Sequence, residues 1–358
     1  MKISKETSST MKGMAIMSIV IHNFLHLEQF GLVQENEMYF YSERSLLFFQ
    51  HVQALSYTLV YDIFSFMGWC GVPVFVFLSG YGLSMKYCID KGDLKWKQYV
   101  AYNYKKLLLL VLPATIFLVI VQYIEGDYLK IAFSLFSSFS FCNTLISIST
   151  SIPSAAPPYW YFALTFQLYL IYLLLFKIKR KSILLLIALS FLFVQFVLSP
   201  DIVTDEGFLR YVRKNAIGWL PVFIMGILMA RQRNAYPTTS NLLSIIVTLL
   251  SFILLFIMNL NYISWIIMPF VAVIFFYSLS QVINRTNVGY AIGNWLGVYS
   301  AYIFVTHPIG ILAMQWIMRI IDLNYLWQLT LLYMIITLCL SLLYRKIHLS
   351  LKMLIDKQ

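Results

Sequence analysis

Long apolar runs separated by short polar segments dominate the chain. Ten of these runs approach or exceed the length of a helix that crosses a lipid bilayer, which takes about 20 apolar residues. They cover residues 13–27, 57–85, 107–124, 159–176, 182–199, 216–230, 241–258, 262–283, 297–319 and 326–345. The pattern predicts an all-α, polytopic integral membrane protein with about ten transmembrane helices, forming one domain over residues 1–358.

Three stretches need a separate interpretation. The first apolar run is followed directly by Glu28 without a small-residue cleavage pattern, which favours an uncleaved first helix over a signal peptide. Residues 91–106 place Trp96 between two lysines and predict a short amphipathic helix in the cytoplasmic interface. Residues 131–150 are too rich in serine for a transmembrane span and predict a re-entrant or surface segment.

The basic residues predict the topology. If the N-terminus is cytoplasmic, all but six of the 26 Lys and Arg fall on the cytoplasmic side. The six exceptions are Arg44, Lys130, Arg210, Arg213, Lys214 and Arg319. This positive-inside asymmetry predicts that both termini are cytoplasmic.

The composition is typical of a membrane protein, and the positive charge does not require a nucleic-acid partner. Hydrophobic residues make up 60% of the chain and charged residues 11%, which excludes an ordinary soluble domain. The net charge of +11 would suggest nucleic acid in a soluble protein, but here topology and anionic lipid explain it. We therefore expect a multi-pass protein of a cell membrane with no nucleic-acid partner. The membrane we expect is the bacterial cytoplasmic membrane.

Ionisable side chains inside apolar runs are candidates for function, because burying them in hydrocarbon is costly. His22 lies about 15 Å along a helix from Lys12, and its apolar surroundings favour a neutral imidazole that can accept a proton. His26 follows one turn later. The pair lacks the glutamate of a zinc-protease helix, and the four cysteines form no metal-binding pair, so we expect no metal. A helix-packing role for either histidine remains an alternative at this stage.

His307, in the ninth run, has a depth similar to that of His22 and precedes Pro308, which frees backbone groups that polar side chains or water must satisfy. A simple kink is the other explanation for the proline. Ser79 offers a hydroxyl in the second run, where tight helix packing is an equally simple role. Trp160, Gln167 and Tyr169 are polar-capable groups on the fourth.

Five segments, in order, resemble the acyltransferase 3 family of membrane acyltransferases. They are Lys12–Ile16 with His22; Gly71–Tyr81, which is similar to the family's GVxxFFxLSGF helix; Trp160 with Gln167 and Tyr169; Gly218-Trp219 with Phe223, Gly226 and Ala230; and Ser300–His307. The sequence also departs from the family pattern. Asn23 stands where the family's histidine is usual, and Leu107 and Leu110 stand where the family often has arginines.

The resemblance implies transfer of an acyl group, usually acetyl, from acyl-CoA to a hydroxyl of a carbohydrate or glycolipid. On that reading His22 is the general base, with His307, Ser79 or backbone amides as oxyanion donors, although the sequence leaves open which histidine is the base. Lys12, Lys105 and Lys106 would bind the phosphates of coenzyme A. The remaining polar candidates would contact the acceptor: Asn23, His26, Trp160, Gln167 and Tyr169.

Two other functions fit a polytopic protein. A transporter or flippase for a lipid-linked sugar predicts inverted repeats, and no such symmetry is evident. A glycan polymerase typically has a long external loop, and the longest here, about residues 125–158, is modest. The sequence does not identify the acceptor or the acyl group.

Overall fold

The computed structural model describes residues 3–87, 94–124, 126, 128–146, 157–232, 240–321 and 325–356. Within these ranges the chain is helical and contains no strand, which confirms the all-α class. It forms two compact units, each built from two separate stretches of sequence. The first contains residues 1–93 and 171–298, and the second contains residues 94–170 and 299–358.

The first unit contains nine complete helices. They are α1 (Lys5–Leu25), α2 (Ser42–Gln53), α3 (Leu59–Met67), α4 (Gly71–Lys86), α9 (Lys181–Val197), α10 (Glu206–Lys214), α11 (Ala216–Ala230), α12 (Asn241–Met258) and α13 (Tyr262–Ile283). The other helices of the chain are α5 (Trp96–Ile124), α6 (Tyr128–Ser140), α7 (Asn143–Ile146), α8 (Trp160–Phe176), α14 (Asn287–Ile320) and α15 (Leu326–Asp356). Of these, α5, α6, α7 and α15 belong to the second unit, while α8 and α14 each contribute to both units.

Every apolar run predicted as a span is mainly helical, and the run 57–85 is divided between α3 and α4. In the described residues, seven helical segments are long and apolar enough to cross a membrane. The runs in α1, α8 and α9 are helical too, but α8 and α9 have only 17 residues each. The multi-pass architecture is thus established, whereas the count of ten and the cytoplasmic termini stay predictions.

In the described residues, the segment 91–106, predicted as a separate interfacial helix, is continuous with the next span. Residues 88–93 lie outside the described ranges, and from Trp96 the chain forms one continuous helix through Ile124. Tyr99, Asn103 and Leu107 are buried at helical spacing, so the same face continues across the predicted boundary. No glycine or proline interrupts residues 96–112, so the helix has no reason to stop at residue 106.

The serine-rich stretch contains α6 and α7, while its residues 147–150 lie outside the described ranges. Its serines make contacts with α5. Ser138 Oγ lies 2.7 Å from Thr115 Oγ1, and Ser134 Oγ donates to Gln122 Oε1 at 3.2 Å. These hydroxyls are buried, and pairing with a neighbouring helix removes the cost of burying them. The polar composition therefore reflects contact between helices.

Glycines allow the closest helix contacts of the first unit. A Cβ on Gly80 of α4 would collide with the carbonyl oxygen of Phe223 in α11, and a Cβ on Gly226 of α11 would collide with that of Phe77. The two helices therefore touch backbone to backbone, as small residues permit in membrane proteins. Gly71 makes a similar contact with the carbonyl of Ala15 in α1. These contacts fix α1, α4 and α11 against one another.

Candidate active site

His22 lies in the last turn of α1 and is 4% exposed. Its Nδ1 is 2.7 Å from the carbonyl oxygen of Ser65 and 3.3 Å from that of Phe64, both in α3. A carbonyl oxygen can only accept, so Nδ1 carries the proton, and the neutral ring presents Nε2 as an unprotonated acceptor. Gly68 leaves room for this arrangement, since a Cβ there would collide with the Cβ of His22.

The ring of His26 packs against that of His22, with the ring centroids 5.1 Å apart. His26 Nε2 lies 2.7 Å from the carboxylate oxygen Oε2 of Glu35. Burial opposes ionisation of Glu35, but the hydrogen bond from His26 and the charge of that ring outweigh it and lower the pKa of Glu35 to about 2. The carboxylate of Glu35 therefore contacts His26, whose ring packs against that of His22.

The loop that carries Glu35 is bound to α3 through the backbone of Val33. The Val33 amide donates to Asp62 Oδ1 at 3.0 Å, and Ser65 Oγ donates to the Val33 carbonyl at 2.8 Å. Asp62 is fully buried and also accepts from His51 Nδ1 at 2.8 Å. Because Ser65 contacts both His22 and the loop, one turn of α3 positions the histidine and the loop together.

Arg213 is a buried cation near the end of α10. Its guanidinium carbon lies 4.6 Å from the ring centroids of both Trp219 and Trp265. Its Nη1 donates to Gln195 Oε1 at 3.1 Å, and its Nε donates to the carbonyl oxygen of Glu37 at 3.3 Å. Arg213 is therefore held by aromatic faces and neutral acceptors.

The carboxyl group of Glu37 belongs to the same region. Burial and the nearby charge of Glu35 raise the pKa of Glu37 to about 8, although Arg213 and Lys214 act in the opposite direction. Glu37 Oε1 is buried and has no hydrogen-bond partner among the described residues. Near neutral pH, Glu37 is therefore mostly protonated.

Of the other predicted residues of the first unit, Lys12 and Ser79 lie apart from the histidine pair, and Asn23 bonds within its own helix. Lys12 is half-buried, about 15 Å along α1 from His22. Asn23 Nδ2 donates to the carbonyl of Ile19 in its own helix, at 2.9 Å. Ser79 lies about 12 Å along α4 from Gly71, toward the N-terminal end of α1, where the hydroxyl of Tyr81 accepts from the Ile3 amide at 2.8 Å. The structure thus brings His26 to His22, and it does not bring Ser79 there.

His307 lies in the second unit and is fully buried in α14. Its Nδ1 is 2.6 Å from the carbonyl oxygen of Phe304. This is the carbonyl that a residue at position 308 would normally bond through its amide, which Pro308 lacks. His307 therefore satisfies the backbone group that the proline leaves open. With Nδ1 used as a donor to this carbonyl, His307 can donate to an oxyanion only as an imidazolium, which is also protonated at Nε2.

The remaining candidates of the second unit pack among helices or face outward. Gln167 Nε2 donates to Thr144 Oγ1 at 2.9 Å, and the carbonyl of Tyr169 accepts from the Tyr99 hydroxyl at 3.0 Å. Trp160 is half-buried at the start of α8. Both Lys105 and Lys106 are on the exposed side of α5.

Sequence reasoning missed four ionisable residues that the structure singles out. Asp62 lies inside the predicted span 57–85, so the rule that marked His22 would also have found it. Glu35 and Glu37 lie in a loop, where carboxylates are common and carry no signal. The sequence analysis used Arg213 only as one of the basic residues outside the cytoplasmic side. Its burial among three tryptophans could not be predicted, because it depends on distant parts of the chain.

The apolar helices and the oriented, buried imidazole define a multi-pass membrane protein with a proton-accepting group in its interior. The model of the acyltransferase 3 family, described as an acyltransferase domain, matches residues 9–346. The chain therefore belongs to this family of membrane acyltransferases, and the resemblance inferred from five segments is confirmed. Neither the curated proteins nor the solved structures contain a significant match.

Proposed function

We propose that the protein transfers an acyl group from acyl-CoA to a hydroxyl group of a carbohydrate or glycolipid at the cell surface, and that this acyl group is acetyl. Membership of the acyltransferase family supports transfer over the transporter alternative. The observation that carries the proposal is the fixed tautomer of His22, whose Nδ1–H is bound to the Ser65 carbonyl. Nε2 is therefore held ready to accept a proton.

The reaction follows from that geometry. Nε2 of His22 removes the proton of the acceptor hydroxyl as its oxygen attacks the thioester carbonyl, forming a carbon–oxygen bond. When the tetrahedral intermediate collapses, the carbon–sulfur bond breaks and the thiolate of coenzyme A takes the proton from the His22 imidazolium. A positioned base of this kind contributes about 10²- to 10⁴-fold to the rate.

The Glu35–His26 pair supports the transient charge on His22. The ring of His26 packs against that of His22, and the carboxylate of Glu35 beside His26 favours a positive charge on His22. We assign His26 and Glu35 a positioning and electrostatic role. Lys12, Lys105 and Lys106 are proposed to bind the phosphates of coenzyme A. Backbone amides would donate to the oxyanion, and His307 could contribute only when protonated.

A histidine substitution tests the proposal. His22→Gln keeps a polar side chain of similar size but removes the base, so we expect acyl transfer from acetyl-CoA to fall at least about 100-fold. The measurement is the number of acetyl esters on surface glycans of cells that express each variant, with the amount of inserted protein measured in parallel. The control is His348→Gln, which changes a half-buried histidine of α15. Full activity of His22→Gln would remove His22 from the mechanism.

A further inference from the structure

A cavity in the first unit borders the guanidinium of Arg213. It measures about 20 Å³ and is lined by side chains from α9, α10, α13 and the loop before α2. The polar lining consists of Gln195, Arg213, Tyr262 and Trp265. Tyr39, Phe40 and Pro200, which complete one side, are only half-buried, so the cavity is reached from the surface of the unit.

Two residues that line this cavity each have a hydrogen-bond donor that is not used. Arg213 is 3% exposed, and its Nη2 has no hydrogen-bond partner among the described residues. Trp265 is 4% exposed, and its Nε1 is buried and likewise unpaired within the same ranges. A buried donor without an acceptor costs about 1–3 kcal/mol, more when it is charged, so a ligand acceptor would relieve a real penalty.

The charge of Arg213 is also not neutralised. Its neighbours Gln195, Gly218 and the Glu37 backbone provide neutral oxygens. No carboxylate lies within ion-pair distance of Arg213 in the part of the chain that the structure describes. The side chain of Glu37 adds little negative charge near neutral pH, because its pKa is about 8. A buried guanidinium in this state favours an anion.

We propose that this cavity binds a carboxylate of the acceptor, held by Arg213 Nη2 and Trp265 Nε1, with the sugar ring extending past Tyr39 and Phe40. The acceptor would therefore be an acidic sugar of the uronic-acid type. A carboxylate fits because it is planar and carries one negative charge, which matches the single guanidinium. A phosphate is larger and carries more charge than the one guanidinium offers. This assignment rests on the proposed function only in calling the ligand an acceptor.

Binding can be measured without any acyl donor. Trp69, Trp219 and Trp265 all surround Arg213, so their fluorescence reports occupancy of the cavity. We would titrate the purified full-length protein at pH 7 with D-glucuronate, with D-glucose as the neutral analogue and with D-glucose 6-phosphate as the phosphate analogue. We expect glucuronate to change the fluorescence in a saturable way. Its dissociation constant should be at least about tenfold lower than that of either analogue.

Variants locate the binding. Arg213→Gln and Trp265→Phe should each weaken glucuronate binding at least about tenfold. The matched control is Arg210→Gln, which removes the same charge one turn earlier from a half-exposed residue paired with Glu206. Trp265→Phe keeps an aromatic ring, so the test survives if Arg213→Gln does not fold.

Each other result would overturn the proposal. Equal binding of glucose would show that hydroxyl groups, and not the carboxylate, are recognised. Tighter binding of glucose 6-phosphate would assign the site to phosphate. An equal loss in Arg210→Gln would mean general electrostatic attraction, and absence of saturable glucuronate binding would leave the cavity to water. Because no donor is present, these outcomes are independent of whether the protein transfers acetyl groups.

Discussion

Two histidines in this protein use the same nitrogen for different purposes. In both His22 and His307, Nδ1 donates to a backbone carbonyl, so both neutral rings have an unprotonated Nε2. His307 bonds a carbonyl of its own helix that Pro308 leaves open, which gives it a structural reason to be present. His22 bonds a carbonyl of another helix whose backbone has no such vacancy from a proline. This difference makes His22 the better candidate for the base.

The two carboxyl groups near the histidines predict opposite effects of pH on stability. The lowered pKa of Glu35, about 2, means that its carboxylate stabilises the fold above the ordinary pKa of 4.5, and this contribution is lost as pH falls from about 4.5 to 2. The raised pKa of Glu37, about 8, means that the folded state keeps a proton that the unfolded chain releases. Stability therefore falls as pH rises from about 4.5 to 8.

Amide substitutions should separate these effects. Relative to wild type, we expect Glu37→Gln to gain stability at pH 8 compared with pH 5, and Glu35→Gln to be destabilised most at pH 5–8. Differences of about 1 kcal/mol correspond to roughly 1 °C in Tm for a chain of this length. The measurement is the thermal unfolding of each variant in detergent across this range, and each serves as the control for the other. Parallel curves for all three proteins would contradict the assigned protonation states.

At the scale of elements, the site depends on helices that touch through glycine. The contact of α4 with α11 connects two segments of the family resemblance, Gly71–Tyr81 and Gly218–Ala230, which lie far apart in sequence. Gly80 and Gly226 each face a carbonyl oxygen of the opposite helix. Since α4 also holds α1 through Gly71, this packing fixes the position of the helix that carries His22.

An added methyl group at this contact should be costly. We expect Gly226→Ala to destabilise the protein by about 1–3 kcal/mol or more, because the new Cβ meets backbone that cannot move aside easily. The comparison is Gly82→Ala in α4, where the new Cβ has no atom of another element within 4 Å and alanine favours the helix. Thermal unfolding in detergent would distinguish the two. Similar Tm values for both variants would show that the helices are not in close contact.

At the scale of the whole molecule, the number of crossings determines where the termini lie. Ten crossings place both termini on one side of the membrane, whereas the seven helical segments of the described residues that meet length and hydropathy requirements would place them on opposite sides. The three helices in question are α1, α8 and α9. Since α1 carries His22, its orientation also determines the side from which the base is reached.

Reporter fusions test the topology. We expect a fluorescent protein that folds only in the cytoplasm to be bright when fused at the N-terminus and also when fused after Gln358. Its matched control is an insertion after Leu55, an exposed residue between α2 and α3 that the predicted topology places outside, where the reporter should be dark. A dark C-terminal fusion, with a bright N-terminal one, would favour an odd number of crossings.

The sequence by itself determined where the helices lie and which family the chain belongs to. Apolar runs predict helices because helix formation depends on residues close in sequence, and every predicted span is mainly helical. His22 and His307 were also found in this way, since an ionisable residue stands out within an apolar run. The same reasoning placed a boundary at residue 106 that the continuous α5 does not have.

Only the tertiary structure decided which polar groups meet. The Glu35–His26 pair, the Val33 backbone held by Asp62 and Ser65, and Arg213 among its tryptophans all join residues from separate helices or loops. Their partners are set by how helices pack, and packing depends on complementary surfaces, such as the glycine contacts of α4 and α11, that local patterns do not encode. Some of the polar residues could therefore be identified from the sequence, but their partners, and so their chemical roles, could be assigned only from the fold.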